Sequence, residues 1–187
     1  FLDKEDTFTG CEAPPAGGVT AAACMPNTDP VADCPEILRY IVEKGAAAKA
    51  RVYPVASITR GMKGEALTDM AALKAAGAVA VSDDGKPVPS ARLMREGMCR
   101  ARENGLLTIS HCEDLELING GIMHKGSVSE ELGVPGMDRA SEDFITAREI
   151  ALAESSGAPI HIAHVSTAGA VAFIRAAKQR GLPVTCE

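Results

Sequence analysis

The chain reads as an α/β protein built on a parallel sheet, and three stretches predict it. Residues 77–82 are an apolar run short enough for a strand buried on both faces, and the run ends in Asp83-Asp84-Gly85. Residues 106–110 run into His111-Cys112-Glu113-Asp114, and residues 159–163 into His164-Val165-Ser166-Thr167. Three apolar strands therefore each stop at a side chain that binds metal or moves protons, as strands of a parallel-sheet enzyme do at their carboxyl ends. Asp-Gly between apolar runs is also a hairpin signal, but turns alone would not place three such groups in series.

Taken in order, residues 5–17 form a weak helix limited by Pro14 and Pro15, and Gly17-Gly18 releases the chain into a strand over 19–24. Met25-Pro26-Asn27-Thr28-Asp29-Pro30 follows as a rigid loop in which proline fixes the backbone. Asn27 reads there as an ordinary turn residue whose side chain both donates and accepts. A helix begins at Asp33 or Cys34, takes Pro35 into its first turn and runs to about Ala50, with Ile37, Leu38, Ile41 and Val42 on one face. Residues 51–57 are the next strand and 64–76 the next helix. After the aspartate pair, a helix from Pro89 or Ser90 to about Asn104 carries Leu93, Met94, Met98 and Cys99, and Gly105 stops it.

The rhythm breaks at residues 116–137, where glycines at 120, 121, 126, 133 and 136 and the lack of periodicity predict a long mobile loop. Residues 138–156 form a helix with Phe144, Ile145, Ile150 and Leu152 inward, ended by Gly157. Residues 168–179 form another, stopped by Gly181, and the last strand begins at Leu182. Alternation of strand and helix implies right-handed crossovers in a parallel sheet. Six strands are one or two short of a closed parallel barrel of eight.

Composition narrows the function. Hydrophobic residues make up 46% of the 187 but aromatics only 3%, so the core is built from Ala, Val, Ile, Leu and Met. A net charge of −6, with Lys and Arg scattered, argues against a nucleic-acid surface and for a small-molecule partner. The six cysteines contain no Cys-x-x-Cys pair, which fits reduced thiols in the cytoplasm. No run approaches the roughly 20 apolar residues of a membrane span. The start at Phe1 and the stop at Glu187 directly after an apolar run suggest a piece of a longer chain.

Aspartate and histidine at separate strand ends suit zinc or a similar divalent ion, with a position left open for water. Asp84, His111 and His164 on successive strands form such a set, with Asp83 as the fallback for Asp84. His161 alternates away from His164 or faces a packed layer and reads as a satisfied interior histidine. His124, in the glycine-rich segment, has no role assigned.

Met-Pro-Asn-Thr at 25–28, Ser-Asp-Asp-Gly at 82–85, His-Cys-Glu-Asp at 111–114 and His-Val-Ser-Thr at 164–167, in this order and spacing, resemble the dihydroorotases of the amidohydrolase superfamily. The resemblance is to the group with Asp-Asp-Gly where hydantoinases place a carboxylated lysine. It covers nearly the whole chain and implies a (β/α)8 TIM barrel, of which residues 1–187 would be a partial domain holding strands two to seven. It further implies that Asp84 is the bridging carboxylate and a catalytic group, that His111 and His164 are metal ligands, and that Asn27 contacts substrate. One or two zinc ions would serve a parent enzyme that interconverts N-carbamoyl-L-aspartate and L-dihydroorotate in de novo pyrimidine biosynthesis. The family's His-x-His pair and substrate-gripping arginine lie on strand one and its catalytic aspartate on strand eight; none is found here. The 187 residues alone are therefore expected to be inactive. The same likeness leaves open a related cyclic amidase acting on allantoin or hydantoins, a non-catalytic homologue that scaffolds aspartate carbamoyltransferase, and a homodimer.

Overall fold

The structure is a computed structural model and describes residues 6–187. In chain order the elements are α1 (Thr7–Gly10), α2 (Ala13–Ala16), β1 (Ala21–Cys24), α3 (Pro35–Gly45), β2 (Arg51–Ala56), a 3-10 turn at Arg60–Met62, α4 (Met70–Ala75), β3 (Ala80–Val81) and α5 (Ala91–Glu103). Then come β4 (Leu107–Ser110), α6 (Leu115–Ile118), β5 (Met123–His124), α7 (Ser127–Glu131), β6 (Gly136–Met137), α8 (Ala140–Ser156), β7 (Ile160–Ile162), α9 (Ala168–Gln179) and β8 (Val184–Cys186). Six strands form one parallel sheet in the order β1-β2-β3-β4-β7-β8. Sequential order with helical crossovers is the arrangement the alternating pattern predicts.

Strand pairing sorts the residues onto two faces. Ala56, Val81, Ile160, Ile162 and Val184 turn toward the helices and pack with Leu38, Leu73, Met98 and Ile174 in the main core. Val55, Ala80, Ile109 and Ala163 make a second, smaller cluster on the other face with Met25 and Leu107. Half-buried His161 belongs to that face: it pairs in register with Ile109 and Thr185, and its Nδ1 lies 2.8 Å from Thr185 Oγ1. It thus has the partner expected of it.

Several boundaries depart from the sequence reading, each for a local reason. The helix expected over 5–17, whose first residue lies outside the described range, is split into α1 and α2. Pro14 and Pro15 begin the second piece instead of limiting the first, because a helix tolerates proline in its first turn. α3 stops at Gly45, where the chain passes so close to β2 that a Cβ at Gly45 would lie 2.7 Å from Val52 Cβ. On α3, Leu38 and Ile41 are buried, whereas Val42 is exposed. Residues 64–69 are not helical: Leu67 bridges Thr59, Thr68 Oγ1 donates to Ser57 O at 2.8 Å, and α4 starts only after Asp69, whose carboxylate caps Ala72 N at 3.0 Å.

The segment 116–137 differs most from expectation. Instead of an unpatterned loop it holds α6, α7 and a small parallel pair, β5 with β6. Its glycines permit close approach: a Cβ at Gly121 would sit 2.5 Å from Met137 N, and one at Gly136 would sit 2.5 Å from Lys125 Cα. Phe144, expected inward, is 56% exposed, whereas Ile145 and Ile150 are buried.

Candidate metal centre

The carboxyl end of β3 turns sharply through Asp83-Asp84-Gly85-Lys86, closed by Lys86 N donating to Asp83 O at 3.0 Å. Gly85 occupies the third position with φ +75°, a conformation that suits glycine. This turn sends the two aspartates in different directions. Asp83 is 3% exposed and reaches sideways to the end of β2, where its Oδ1 accepts from Ile58 N at 2.8 Å and Thr59 N at 3.1 Å and its Oδ2 from Thr59 Oγ1. Burial pushes the Asp83 carboxyl above its ordinary pKa, against the pull of those hydrogen bonds. Asp84 faces the ends of β4 and β7.

There it meets both histidines. One ligand atom from each of Asp84, His111 and His164 lies within 4.8 Å of the other two. His111 Nδ1 is 3.6 Å from Asp84 Oδ1 and 2.8 Å from His164 Nε2, and the two rings meet edge to face. On its far side, His111 Nε2 lies 3.2 Å from Glu113 Oε2. With its proton on Nε2, His111 donates to Glu113 and turns the Nδ1 lone pair toward Asp84 and His164. Asn27, at the end of β1, donates from Nδ2 to Asp84 Oδ2 at 3.0 Å, which leaves Oδ1 turned to the histidines. The structure brings together Asp84, His111, His164 and Asn27, and keeps Asp83 apart.

Two imidazole nitrogens and one carboxylate oxygen are a suitable donor set for zinc. With metal–nitrogen distances near 2.05 Å, a tetrahedral ion holds two nitrogens about 3.3 Å apart. The observed 2.8 Å is about half an ångström too close, so the donors fit an ion after a small separation of the rings. Cys112, beside His111, is no competing ligand: it is 5% exposed, faces the core, and burial pushes its thiol up to about 11. Next to the histidines opens a cleft of about 250 Å³, lined among others by Cys112, His124, Arg139, Glu142 and Ser166.

His164 holds φ +42°, in the left-handed region that non-glycine residues seldom adopt. The residues after it are tied down. Val165 N donates to Glu187 O at 2.8 Å, while Ser166 N and Thr167 N donate to Glu142 Oε1 at 2.8 and 3.0 Å. Sequence reasoning missed Glu113 and Glu142. Glu113 was findable two residues from His111, on the same side of an extended segment. Glu142 lies 22 residues before His164 on another element, and nothing local marks it.

Comparison with known proteins identifies the family and the fold. The dihydro-orotase-like family matches residues 3–170. Over 185 residues the chain is 54% identical to a dihydroorotase from Geobacter sulfurreducens, covering 98% of this chain and 44% of that one. Over 187 residues it is 50% identical to a dihydroorotase from Pelotomaculum thermopropionicum, covering 100% and 44%. It thus spans less than half the length of these relatives. Among solved structures, an L-hydantoinase from Arthrobacter aurescens superposes with a TM-score of 0.75 at 17% identity, covering 94% of this chain and 41% of that one. A D-hydantoinase from a Thermus species gives 0.71 at 20%, covering 98% and 42%. At those identities the likeness speaks for the fold: the six-stranded sheet is a curled, partial (β/α)8 barrel. By the match over residues 3–170 and identities of 50–54% to named relatives, the chain belongs to the dihydro-orotase-like family.

Proposed function

We propose that these residues are part of a metal-dependent dihydroorotase that interconverts N-carbamoyl-L-aspartate and L-dihydroorotate in pyrimidine biosynthesis. The observation that carries the reading is the convergence of Asp84, His111 and His164 at the ends of β3, β4 and β7, the end at which barrel enzymes keep their active sites. Asp84, His111 and His164 would hold the ion, with zinc the choice for an N,N,O donor set. Such an ion supplies Lewis-acid polarisation of the amide carbonyl and a bound water acidified to a pKa of about 7.

The chain's own groups prepare that chemistry. Glu113 fixes the His111 tautomer so that Nδ1 offers its lone pair. His164 Nε2 becomes a donor atom once its proton sits on Nδ1 instead. Asn27 orients Asp84 through Oδ2, and its amide oxygen, without a hydrogen-bond partner among the described residues, can accept from a substrate N–H. Asp84 Oδ1 would then be taken up as a ligand, with Oδ2 held by Asn27, and its negative charge would lie beside any water bound to the ion.

The test is an assay of the protein that carries these 187 residues, with N-carbamoyl-L-aspartate, L-dihydroorotate, allantoin and hydantoin side by side and zinc measured per chain. We expect turnover of the first pair, and joint loss of zinc and turnover in His111→Ala and His164→Ala. Preferential turnover of allantoin or hydantoin would overturn the substrate, and full zinc in both variants would overturn the ligand set.

A further inference from the structure

The two histidines follow the neighbouring strands β4 and β7, whose pairing ends directly before them with Ala163 N donating to Ser110 O at 3.1 Å. Beyond the strand ends, the loops that follow the two histidines are joined by the first turn of α8. Ser141 is buried, and its Oγ accepts from Asp114 N at 2.8 Å and donates to Asp114 O at 3.1 Å, three residues after His111. The next residue, Glu142, accepts from the amides of Ser166 and Thr167 and from Ser166 Oγ, two and three residues after His164. Asp143 completes the turn: Thr167 Oγ1 donates to its Oδ1 at 2.5 Å, and Gly169 lies so close that a Cβ there would come within 2.4 Å of both carboxylate oxygens. Thr167 Oγ1 also accepts from Ala170 N at 3.1 Å and so caps α9. Three consecutive side chains thus fasten both ligand-bearing loops to one rigid helix of 17 residues.

We propose that Ser141-Glu142-Asp143 is a positioning clamp that sets the separation of His111 Nδ1 and His164 Nε2. This rests on the metal-site reading only for its consequence, since the clamp itself is a matter of which loops are joined. Its need is visible at His164: a non-glycine residue at φ +42° relaxes toward ordinary backbone angles unless its neighbours are held, and Glu142 holds the two residues that follow Val165. The same turn ends the excursion that leaves the sheet at Asp114 and returns at Asp138, so that excursion and both histidine loops share one anchor.

The experiment compares wild type, Glu142→Ala, Glu142→Gln and, as a charge control on the same helix, Glu154→Gln, whose side chain pairs with Arg180 at 3.0 Å away from the clamp. Far-UV circular dichroism and thermal melts establish that each variant folds. In metal-free protein, imidazole ¹⁵N shifts report the tautomers: wild type and Glu154→Gln should show one fixed tautomer at His111 and at His164, Glu142→Ala an averaged pair, and Glu142→Gln, which keeps an acceptor for both amides, an intermediate spectrum. Titration with cobalt(II) should then give about 10-fold weaker binding and an altered visible band for Glu142→Ala. Folded Glu142→Ala with wild-type ¹⁵N shifts would overturn the clamp. Averaged shifts in Glu142→Ala, in a protein that takes up no cobalt in any form, would support the clamp and sink the metal reading instead.

Discussion

The ends of β3 and β7 both present a candidate ligand, but they are braced in opposite ways. At β3 the brace comes from inside: Asp83 turns under the sheet and ties its own turn to three donors at the end of β2, fully shielded from water. At β7 the brace comes from outside: Glu142 reaches in from a neighbouring helix, half-buried, and takes the loop by its backbone amides. The interior brace is part of the fold, since removing it strands buried donors. The exterior one is a local adjustment that water can replace at some cost to geometry. The contrast predicts that damage to β3 shows up as lost stability, whereas damage to β7 shows up as lost ligand geometry in a protein that still folds.

The largest effect should therefore come from Asp83→Ala. It leaves Ile58 N, Thr59 N and Thr59 Oγ1 without their acceptor in a dry site, at about 1–3 kcal/mol for each group left unsatisfied, and about 3 kcal/mol or more in all. Urea denaturation should find the midpoint sharply lowered or the protein unfolded. Glu142→Ala should cost about 1 kcal/mol, the net worth of an ordinary hydrogen bond where water can reach the amides left behind. Equal losses for the two variants would erase the distinction between the braces.

A smaller effect, with a sign set by pH, belongs to Glu149. It is 1% exposed on α8; Arg148 engages its Oε1, and its Oε2 has no hydrogen-bond partner among the described residues. Burial holds its carboxyl above the ordinary value of 4.5, opposed in part by Arg148. A carboxyl raised in the folded state favours folding while both states are protonated, and that advantage is lost as pH rises from 4.5 through the folded value. Glu149→Gln should match wild type below pH 4.5 and become the more stable of the two toward neutrality. Melting temperatures taken across that range check it, and a constant offset at every pH would show that the carboxyl is not displaced upward.

Much of this architecture was legible in the sequence because apolar runs and glycine stops are local signals. The six strands, their parallel order and the placing of Asp84, His111 and His164 at their ends all came from such runs. The braces were not legible, because Asp83 and Glu142 act on partners 24 to 25 residues away and nothing local identifies those partners. The excursion at 116–137 misled for a related reason: glycine there signals close packing of backbones, which in a sequence looks the same as freedom.

The smallest predicted effect concerns Phe144, the one residue expected inward on α8 that the structure leaves exposed. The buried side of that helix carries Ser141, Thr146, Glu149 and Ser156 alongside Ile145, Ile150 and Ala153, so more than half of it is polar and the apolar stripe that would locate it is broken. Phe144 looked like part of the stripe only because it adjoins Ile145. On the helix it points about 100° away from Ile145, and it lies 56% exposed. Phe144→Ser should therefore shift stability by no more than about 0.5 kcal/mol, the range of ordinary surface substitutions. A buried phenylalanine removed from a core would cost several times that. Denaturant midpoints for Phe144→Ser and Ile145→Ser, measured side by side, decide it: the second should fall far below wild type and the first barely move, and a large loss for both would mean that Phe144 is covered in the assembled protein.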